Sequence, residues 1–156
     1  WNGDGSAFIY NAPVSDTRFG VFLGSGYTVS GEDILLTETD KNNLIPVWNA
    51  DYTGIYCFEL LPDSLQDSPG ALLKGHLKEI ILESGSTVVI DSSAAYTDNV
   101  YPQFSVSAST GKLYYSYLDP IGYGKIAVYD PVNKNITRLG RANDSNDYRF
   151  PRVRKQ

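Results

Sequence analysis

The sequence predicts an all-β fold made of repeated antiparallel sheets, and three observations support this prediction. An aromatic residue followed by a turn with Gly and an apolar run occurs at Trp1, Trp48 and Phe104, and Val153 takes the equivalent position in a last partial copy. Turn-forming residues are frequent, as is typical of all-β chains. No stretch shows convincing helical periodicity. Repeats of roughly 40–50 residues indicate a solenoid or a propeller.

Each repeat is expected to form a β-propeller blade, a meander of four antiparallel strands a to d, with blades at about 1–47, 48–103 and 104–153. Strand a precedes the aromatic residue, and its copies are Ile45–Trp48, Tyr101–Phe104 and Arg149–Val153. Strands b, c and d are short runs of β-branched, aromatic and apolar residues between turn formers. Their expected positions are Ser6–Tyr10, Phe19–Leu23, Asp33–Thr37, Gly54–Leu60, Leu77–Glu83, Thr87–Asp91, Lys112–Leu118, Lys125–Tyr129 and Ile136–Leu139.

The chemistry of the repeated motif points to packing. Asp or Asn beside Gly supports a tight turn with positive φ, and the Asp side chain caps its own backbone. The third turn, Ser109-Thr110-Gly111, has no Asp, so its cap is in doubt. The Trp and Phe residues are expected to fill the space between neighbouring blades. The prolines at 46, 102 and 151 are expected to begin strand a, where a missing N–H donor costs little.

These motifs resemble the propeller repeat of the TolB-like family, which also builds the propeller domains of prolyl oligopeptidase-type enzymes. The residues that carry the resemblance are Trp1–Tyr10, Lys125–Asp130 and Ile136–Leu139, and the similarity covers nearly the whole chain. The middle repeat departs most, with an insertion between Leu61 and Gly75. The resemblance implies β-propeller blades and a periplasmic, extracellular or cell-envelope setting.

Three four-stranded blades are too few to close a ring, because propellers have about 4–8 blades. The first repeat lacks most of its strand a, whereas Arg149–Val153 supplies a surplus one. We therefore expect an incomplete ring, completed by the remaining blades of a longer protein or by a second copy joined head-to-tail. The chain also begins within a motif, which favours a piece of a longer protein.

Composition excludes several classes of function. The net charge of −5 argues against a nucleic-acid partner. No run of about 18 apolar residues is present, so no membrane span is predicted. The single cysteine, Cys57, lies in an apolar run and is expected to be a buried structural thiol.

No catalytic residue, metal site or cofactor is predicted. A Gly-x-Ser-x-Gly segment is absent from the sequence, so the hydrolase half of a prolyl oligopeptidase-type enzyme does not lie in this chain. The only histidine, His76, is expected to be exposed at the end of the inserted loop, and a triad through it is disfavoured but left open. Two Asx-rich segments, 40–43 and 143–147, are interpreted as turns rather than Ca²⁺ loops.

A partner site is predicted on the long loops that join strands b to c and d to a, which lie at one end of each meander. Long loops on a rigid scaffold often carry binding residues. Acidic, amide and Tyr groups suit a protein, peptide or glycan partner, although solvated loops have the same composition. The candidates are Asp16, Arg18, Asp63, Asp67, Tyr96, Asp98, Asp119, Tyr123, Asp147 and Tyr148.

Three functional hypotheses follow. The leading one is a non-enzymatic binding or scaffold propeller segment that presents its loops to a protein or glycan partner. The first alternative is part of the gating propeller of a serine peptidase of the prolyl oligopeptidase type. The second alternative is a structural unit of a surface layer or filament, built by pairing of exposed strand edges.

Overall fold

The computed structural model describes residues 1–26, 32–62, 73–96, 104–120 and 122–140. Within these ranges the chain forms eleven strands and no helix. The strands are β1 Ala7–Ser15, β2 Arg18–Ser25, β3 Ile34–Leu35, β4 Asn42–Trp48, β5 Gly54–Leu60, β6 Leu73–Ile81, β7 Ser86–Tyr96, β8 Phe104–Val106, β9 Leu113–Leu118, β10 Gly124–Asp130 and β11 Asn135–Leu139.

The described strands form two sheets, and all their pairings are antiparallel. The first sheet has the order β1-β2-β3. The second has the order β11-β10-β9-β7-β6-β5-β4, with β8 paired to β9. The described strands do not close into a ring. The predicted fold class, an all-β propeller type with an incomplete ring, is therefore confirmed.

Three successive meanders can be followed along the chain: β1–β3, β4–β7 and β8–β11. The second and third meanders are joined by one bridge between β7 and β9, where Ala94 pairs with Tyr117. This bridge turns eight strands into one sheet. The blade limits given above, at about 47 and 103, stay predictions.

The core lies on both faces of the second meander. Tyr56 and Phe58 of β5 point into a cluster that includes Leu113 and Tyr115 of β9. Residues Ile55 and Cys57, which alternate with them, pack with β2 and β6 side chains in a second cluster. Because successive side chains of a strand point to opposite faces, β5 is buried from both sides. It is the strand that contributes to both core clusters through alternate side chains.

Several strands are longer than the sequence predicts. Strand β1 continues to Ser15, so residues 11–15, which were expected in a loop, pair with β2. Strand β6 begins at Leu73 and β7 extends to Tyr96, so the expected loops there are shorter as well. These extensions contain Ser, Asn, Pro and Gly, residues that mark turns. Pairing with a neighbouring strand accommodates such residues, so composition alone missed the end of β1, the start of β6 and the end of β7.

The turns at the start of each repeat differ in their caps. Asp4 Oδ1 accepts a bond of 2.8 Å from Ser6 N, and Asp51 Oδ1 accepts one of 3.1 Å from Thr53 N. In the third turn Thr110 Oγ1 takes the equivalent place, 3.4 Å from Lys112 N. Positive φ falls on Gly5 and Gly111, as the motif predicts, but in the second repeat it falls on Tyr52, with φ of 62°.

The aromatic residues of the motif do not share one role. Phe104 is buried in the larger core cluster, and Trp48 packs against the smaller one, as expected. The expectation is wrong for Trp1, whose surface is 70% exposed and whose ring contacts Phe8 at 5.0 Å between centroids. Trp1 precedes β1, which is an edge strand of the first sheet within the described residues.

Asn11 joins the first sheet to the edge of the second. Its Nδ2 donates to Asn43 O at 2.9 Å, and its Oδ1 accepts from Ile45 N at 2.8 Å. Ile45 has a φ of 52° and sits in a bulge between Leu44 and Val47. Pro46 therefore lies inside β4 and does not begin it, contrary to the prediction. The irregular ladder tolerates its missing N–H.

Candidate functional site

The loop end is the end of the sheets where β1, β5, β7, β9 and β11 finish and β2, β4, β6 and β10 start. Two contacts bring the loop ends of the three meanders together. Phe19 N donates to Asn42 Oδ1 at 3.0 Å, which places the start of β2 beside the start of β4. The bridge between Ala94 and Tyr117 does the same for β7 and β9.

The structure describes half of the predicted partner-binding residues. Asp16 is exposed in the turn between β1 and β2, and Arg18 is the exposed first residue of β2, not a loop residue. Tyr96 is the last residue of β7 rather than part of a loop. Asp119 and Tyr123 lie in the β9–β10 connection. The other candidates, Asp63, Asp67, Asp98, Asp147 and Tyr148, lie outside the described residues.

Asp119 and Tyr123 shape their own loop. Asp119 Oδ1 accepts from Tyr123 N at 2.9 Å, and Asp119 N donates to Tyr123 O at 3.0 Å. Tyr123 remains 36% exposed, and Lys125 Nζ lies 5.7 Å from its ring centroid. The loop is thus held by Asp119, while the Tyr123 ring is presented to solvent.

A group of charged side chains, the Glu59 cluster, lies near the loop end of β5 and β6. Glu59 is only 5% exposed, and its Oε2 forms an ion pair with Lys78, which is equally buried. Its Oε1 lies 3.1 Å from Lys41 Nζ and 4.0 Å from His76 Nδ1. Lys78 Nζ is also 3.8 Å from Glu38 Oε2. The cluster neutralises a carboxylate that burial would otherwise penalise.

The pKa of Glu59 follows from this arrangement. Burial alone would raise it, but hydrogen bonds from Lys78 and Lys41 outweigh burial, and the net effect lowers the pKa.

His76 is half-buried and lies on β6 beside this carboxylate. The prediction of an exposed histidine on a loop was therefore wrong, because the strand extends through Gly75 and His76.

A second group, the Asp91 cluster, joins the second and third meanders. Arg138 binds Asp91 through two nitrogens, Nη1 to Oδ2 at 2.8 Å and Nη2 to Oδ1 at 3.1 Å. The Tyr115 hydroxyl donates to Oδ2 at 2.5 Å, and Ser93 N and Oγ donate to Oδ1 at 2.9 and 2.8 Å. The Arg138 guanidinium also lies 4.0 Å from the Tyr117 ring centroid.

Asp91 is therefore saturated with donors. Burial alone would raise the pKa of Asp91, but the hydrogen bonds from Arg138, Tyr115 and Ser93 lower it. The pKa of Tyr115 is raised, first by burial and then by its bond to Asp91. A carboxylate that accepts this many bonds is a structural anchor rather than a free base.

Sequence reasoning missed both clusters, since neither contains a recognisable motif. One signal was present for the first, because Glu59 continues the alternation of Ile55 and Cys57 on one face of β5. A charged residue at a core-facing position needs a partner, and Lys78 offers one. For Asp91 and Arg138, which are 47 positions apart, the pairing depends on the fold.

Three other predictions from the sequence concern the cysteine, metal sites and membrane spans. Cys57 is a free, fully buried thiol, as predicted, and burial raises its pKa to about 12. No group of three or more His, Cys, Asp or Glu side chains that could hold a metal ion occurs in the described ranges. Nor does that part of the chain contain a helix with the length and apolar character needed to cross a membrane.

Comparison with known proteins identifies the fold. No protein-family model matches the sequence, and no curated protein does. The structure resembles a putative TolB from Agrobacterium tumefaciens, with a TM-score of 0.62 and 20% identity, and TolB from Acinetobacter baumannii, with 0.57 and 16%. The fold is that of a TolB-like β-propeller. These matches cover 88% and 89% of this chain.

The TolB-like fold extends to an enzyme class as well. A structure described in a study of two prolyl endopeptidases matches with a TM-score of 0.55 and 15% identity over 86% of this chain. The chain spans 46%, 30% and 21% of the Agrobacterium, Acinetobacter and endopeptidase chains. At these identities the likeness shows the fold, and a fold by itself does not imply an activity.

Proposed function

We propose that this chain is a non-enzymatic segment of a TolB-like propeller that presents its loop end to a protein or glycan partner in the cell envelope or outside the cell. The observation that carries the proposal is that the buried carboxylates near the loop end are paired within the fold, while other side chains there are exposed. The buried charges, Glu59 and Asp91, are engaged in holding strands together. The exposed side chains Asp16, Arg18 and Tyr123 face solvent from the β1–β2 turn, the first position of β2 and the β9–β10 connection.

A scaffold with this arrangement suits recognition better than catalysis. A general base or nucleophile needs an accessible group with a pKa suited to its task. In the described residues, Cys57 is buried with a raised pKa, and Asp91 accepts bonds from three different side chains. An exposed Tyr ring is typical of contact surfaces, in which aromatic residues are enriched.

Photocrosslinking of the full parent protein in its own cell tests this proposal. A photoreactive phenylalanine derivative replaces Arg18 or Tyr123 at the loop end, and Val132, which is 82% exposed at the opposite end, serves as the matched control. Crosslinks to one protein or glycan partner are expected from the first two positions and not from Val132. Equal yields at all three positions, or none at the loop end, would sink the proposal.

The second candidate is the gating propeller of a serine peptidase, which the fold likeness to a prolyl endopeptidase favours. In that case the hydrolase domain lies elsewhere in the parent protein. A fluorophosphonate probe is then expected to label the intact parent protein at a serine. Absence of labelling, with an active serine peptidase labelled in parallel, contradicts this candidate and leaves the first.

A further inference from the structure

We propose that the opposite end of the second and third meanders holds a binding site for a primary ammonium group, formed by Glu79, Tyr56 and Asn49 and walled by Tyr129. We call it the Glu79 site. It lies at the turn end, where β4 is joined to β5 and β10 to β11, and so it does not depend on the function proposed for the loop end.

The sheet register brings the polar groups together. Tyr56 of β5 and Glu79 of β6 are direct cross-strand partners, and such partners project from the same face. Tyr129 of β10 meets the Tyr56 ring edge-on, with 6.2 Å between centroids and an interplanar angle of 85°. Asn49, just after β4, hydrogen-bonds to the Glu79 side chain. Three strands and a turn thus converge on one carboxylate.

Two of these groups are buried without a partner among the described residues. Tyr56 is fully buried, and its hydroxyl forms no hydrogen bond there. The Asn49 Oδ1 atom is likewise buried and unpaired, while its Nδ2 lies 3.2 Å from Thr53 Oγ1. Leaving a buried polar atom unsatisfied is costly, so each such atom calls for an explanation. A ligand with several donors would satisfy both oxygens.

The charge balance selects a cation. Glu79 forms no ion pair with any described residue, in contrast to Glu59 and Asp91. Burial raises the pKa of Glu79, and the nearby Asp51 carboxylate adds to this, although the Asn49 hydrogen bond opposes it. Lys134 is the described cation that acts on Glu79, yet it does not reach ion-pair distance. The carboxylate therefore lacks the counter-charge that a half-buried position requires.

The set of hydrogen-bond acceptors at the site favours an ammonium group. An ammonium group has three donors and fits an acceptor set of a carboxylate, an amide oxygen and a phenol oxygen. Tyrosine rings stabilise such a cation further. Asn49 Nδ2 and Glu79 Oε1 lie on the same side of Gly54, because a Cβ on Gly54 would be 3.0 Å from the first and 3.5 Å from the second. Glu79 belongs to no group of three or more His, Cys, Asp or Glu side chains that could hold a metal ion among the described residues, so an ammonium is preferred to a metal ion.

Titration of the full chain with n-butylammonium, followed by NMR, tests the site, and n-butanol is the uncharged probe of the same shape. We expect butylammonium to bind and butanol not to bind. Glu79→Gln is expected to weaken binding by about tenfold or more, because it removes a charged hydrogen bond. Glu83→Gln, an exposed residue two positions beyond the end of the same strand, is the matched control and is expected to change nothing.

A second variant and a second ligand distinguish the possible occupants of the Glu79 site. Tyr56→Phe is expected to weaken butylammonium binding by about threefold, since one neutral hydrogen bond is lost. A capped lysine amide that binds as tightly as butylammonium points to a lysine of a peptide partner, and weaker binding points to a small amine. No binding, equal binding of butanol, or unchanged binding to Glu79→Gln overturns the proposal and leaves water as the occupant.

If Glu79→Gln fails to fold, the wild-type chain still decides the matter. The Glu79 carboxyl carbon is followed by NMR as a function of pH, with and without butylammonium. An ammonium bound at Glu79 must lower the apparent pKa of that carboxyl. An unchanged pKa of Glu79 refutes the site. This result leaves the loop-end proposal untouched, since Arg18 and Tyr123 take no part in it.

Discussion

The Glu59 and Asp91 clusters both hold a carboxylate that is almost completely buried, but they hold it by different means. Glu59 is 5% exposed and is neutralised by the flexible ammonium groups of Lys78 and Lys41. Asp91 is 6% exposed and is bound by a planar guanidinium, a phenol and a serine. The two carboxylates are buried to nearly the same extent, but the geometry of the donors that bind them differs.

The difference follows the place of each cluster in the fold. Glu59 and Lys78 lie on adjacent strands of one meander, where the backbone ladder already fixes their separation. Asp91 lies on β7, whereas Arg138 lies on β11 of the next meander. There the side chains themselves position the two meanders. Bidentate, directional bonds suit that task, and point-like ammonium charges suit neutralisation within a sheet.

The largest effect is expected from Asp91→Asn. This change leaves the Arg138 charge without its counter-ion and the Tyr115 hydroxyl without its carboxylate acceptor. Breaking a buried pair on one side typically costs about 3–5 kcal/mol, and we expect about 3 here because Arg138 is partly exposed. Urea unfolding measures the loss. Asp16→Asn, at an exposed turn, is the control and is expected to stay within about 0.5 kcal/mol of the wild type.

A loss below about 1 kcal/mol for Asp91→Asn would contradict the role of the Asp91 cluster as the connection between meanders. It would also weaken the contrast with the Glu59 cluster, since both would then serve only to neutralise charge.

Glu59→Gln is expected to cost about 2 kcal/mol, because it leaves Lys78 buried without its closest carboxylate. The double variant Glu59→Gln with Lys78→Met is expected to recover at least half of this loss, since a buried pair on a fixed ladder is replaceable by uncharged groups. The matching double variant, Asp91→Asn with Arg138→Met, is expected to recover less, because Tyr115 and Ser93 keep polar groups without their partner. Equal recovery in the two pairs would remove the distinction.

The sequence predicts the scaffold well because its signals are local. Gly54–Leu60 was predicted with the bounds that β5 has, because a short run of β-branched, aromatic and apolar residues directly follows a turn. The end of β1, the start of β6 and the end of β7 were missed, because these segments contain Asn, Pro, Gly and Ser, which also form turns. Tertiary pairing decides such ends, and composition does not.

The Asp91 cluster could not be predicted from the sequence for a related reason. Asp91 and Arg138 are remote in the chain, and they meet only after two meanders have packed. The positions of Asp16 and Tyr123 in connections between strands were predictable, since turn chemistry is local. The hydrogen bond from Tyr123 N to the Asp119 carboxylate was not predictable, because it depends on the loop conformation. The role of all three residues in partner binding stays a prediction.

Acid sensitivity offers a third way to sharpen the comparison. The folded-state pKa of Asp91 and that of Glu59 are both lowered. Their stabilising contribution is therefore present above the unfolded values of about 3.9 and 4.3 and is lost as the pH falls through the lower folded values. We expect the stability of Asp91→Asn and of Glu59→Gln to depend less steeply on pH below about pH 4 than the stability of the wild type. Thermal unfolding measured across that pH range tests this.

Glu79 is the control of opposite sign in the same experiment. Burial raises its folded-state pKa, so the folded chain binds the proton more tightly than the unfolded one. Stability then falls as the pH rises from the unfolded value of about 4.3 through the raised folded value. Glu79→Gln is expected to gain stability relative to the wild type above this window. A loss at neutral pH would show that Glu79 is already paired.

The smallest effect is expected from Lys41→Gln, and it separates the two lysines of the Glu59 cluster. The Lys41 side chain is 42% exposed, whereas that of Lys78 is 6% exposed, although both bind the same carboxylate. Exposed ion pairs contribute about 0–1 kcal/mol and weaken with salt. We expect Lys41→Gln to cost less than about 1 kcal/mol at low salt and almost nothing at about 1 M NaCl, measured by urea unfolding. Lys78→Gln, by contrast, is expected to cost more and to keep its cost in salt, because a buried pair is little screened. If both variants responded to salt alike, the neutralisation of Glu59 would take place in water rather than inside the sheet, and the cluster would be an ordinary surface network.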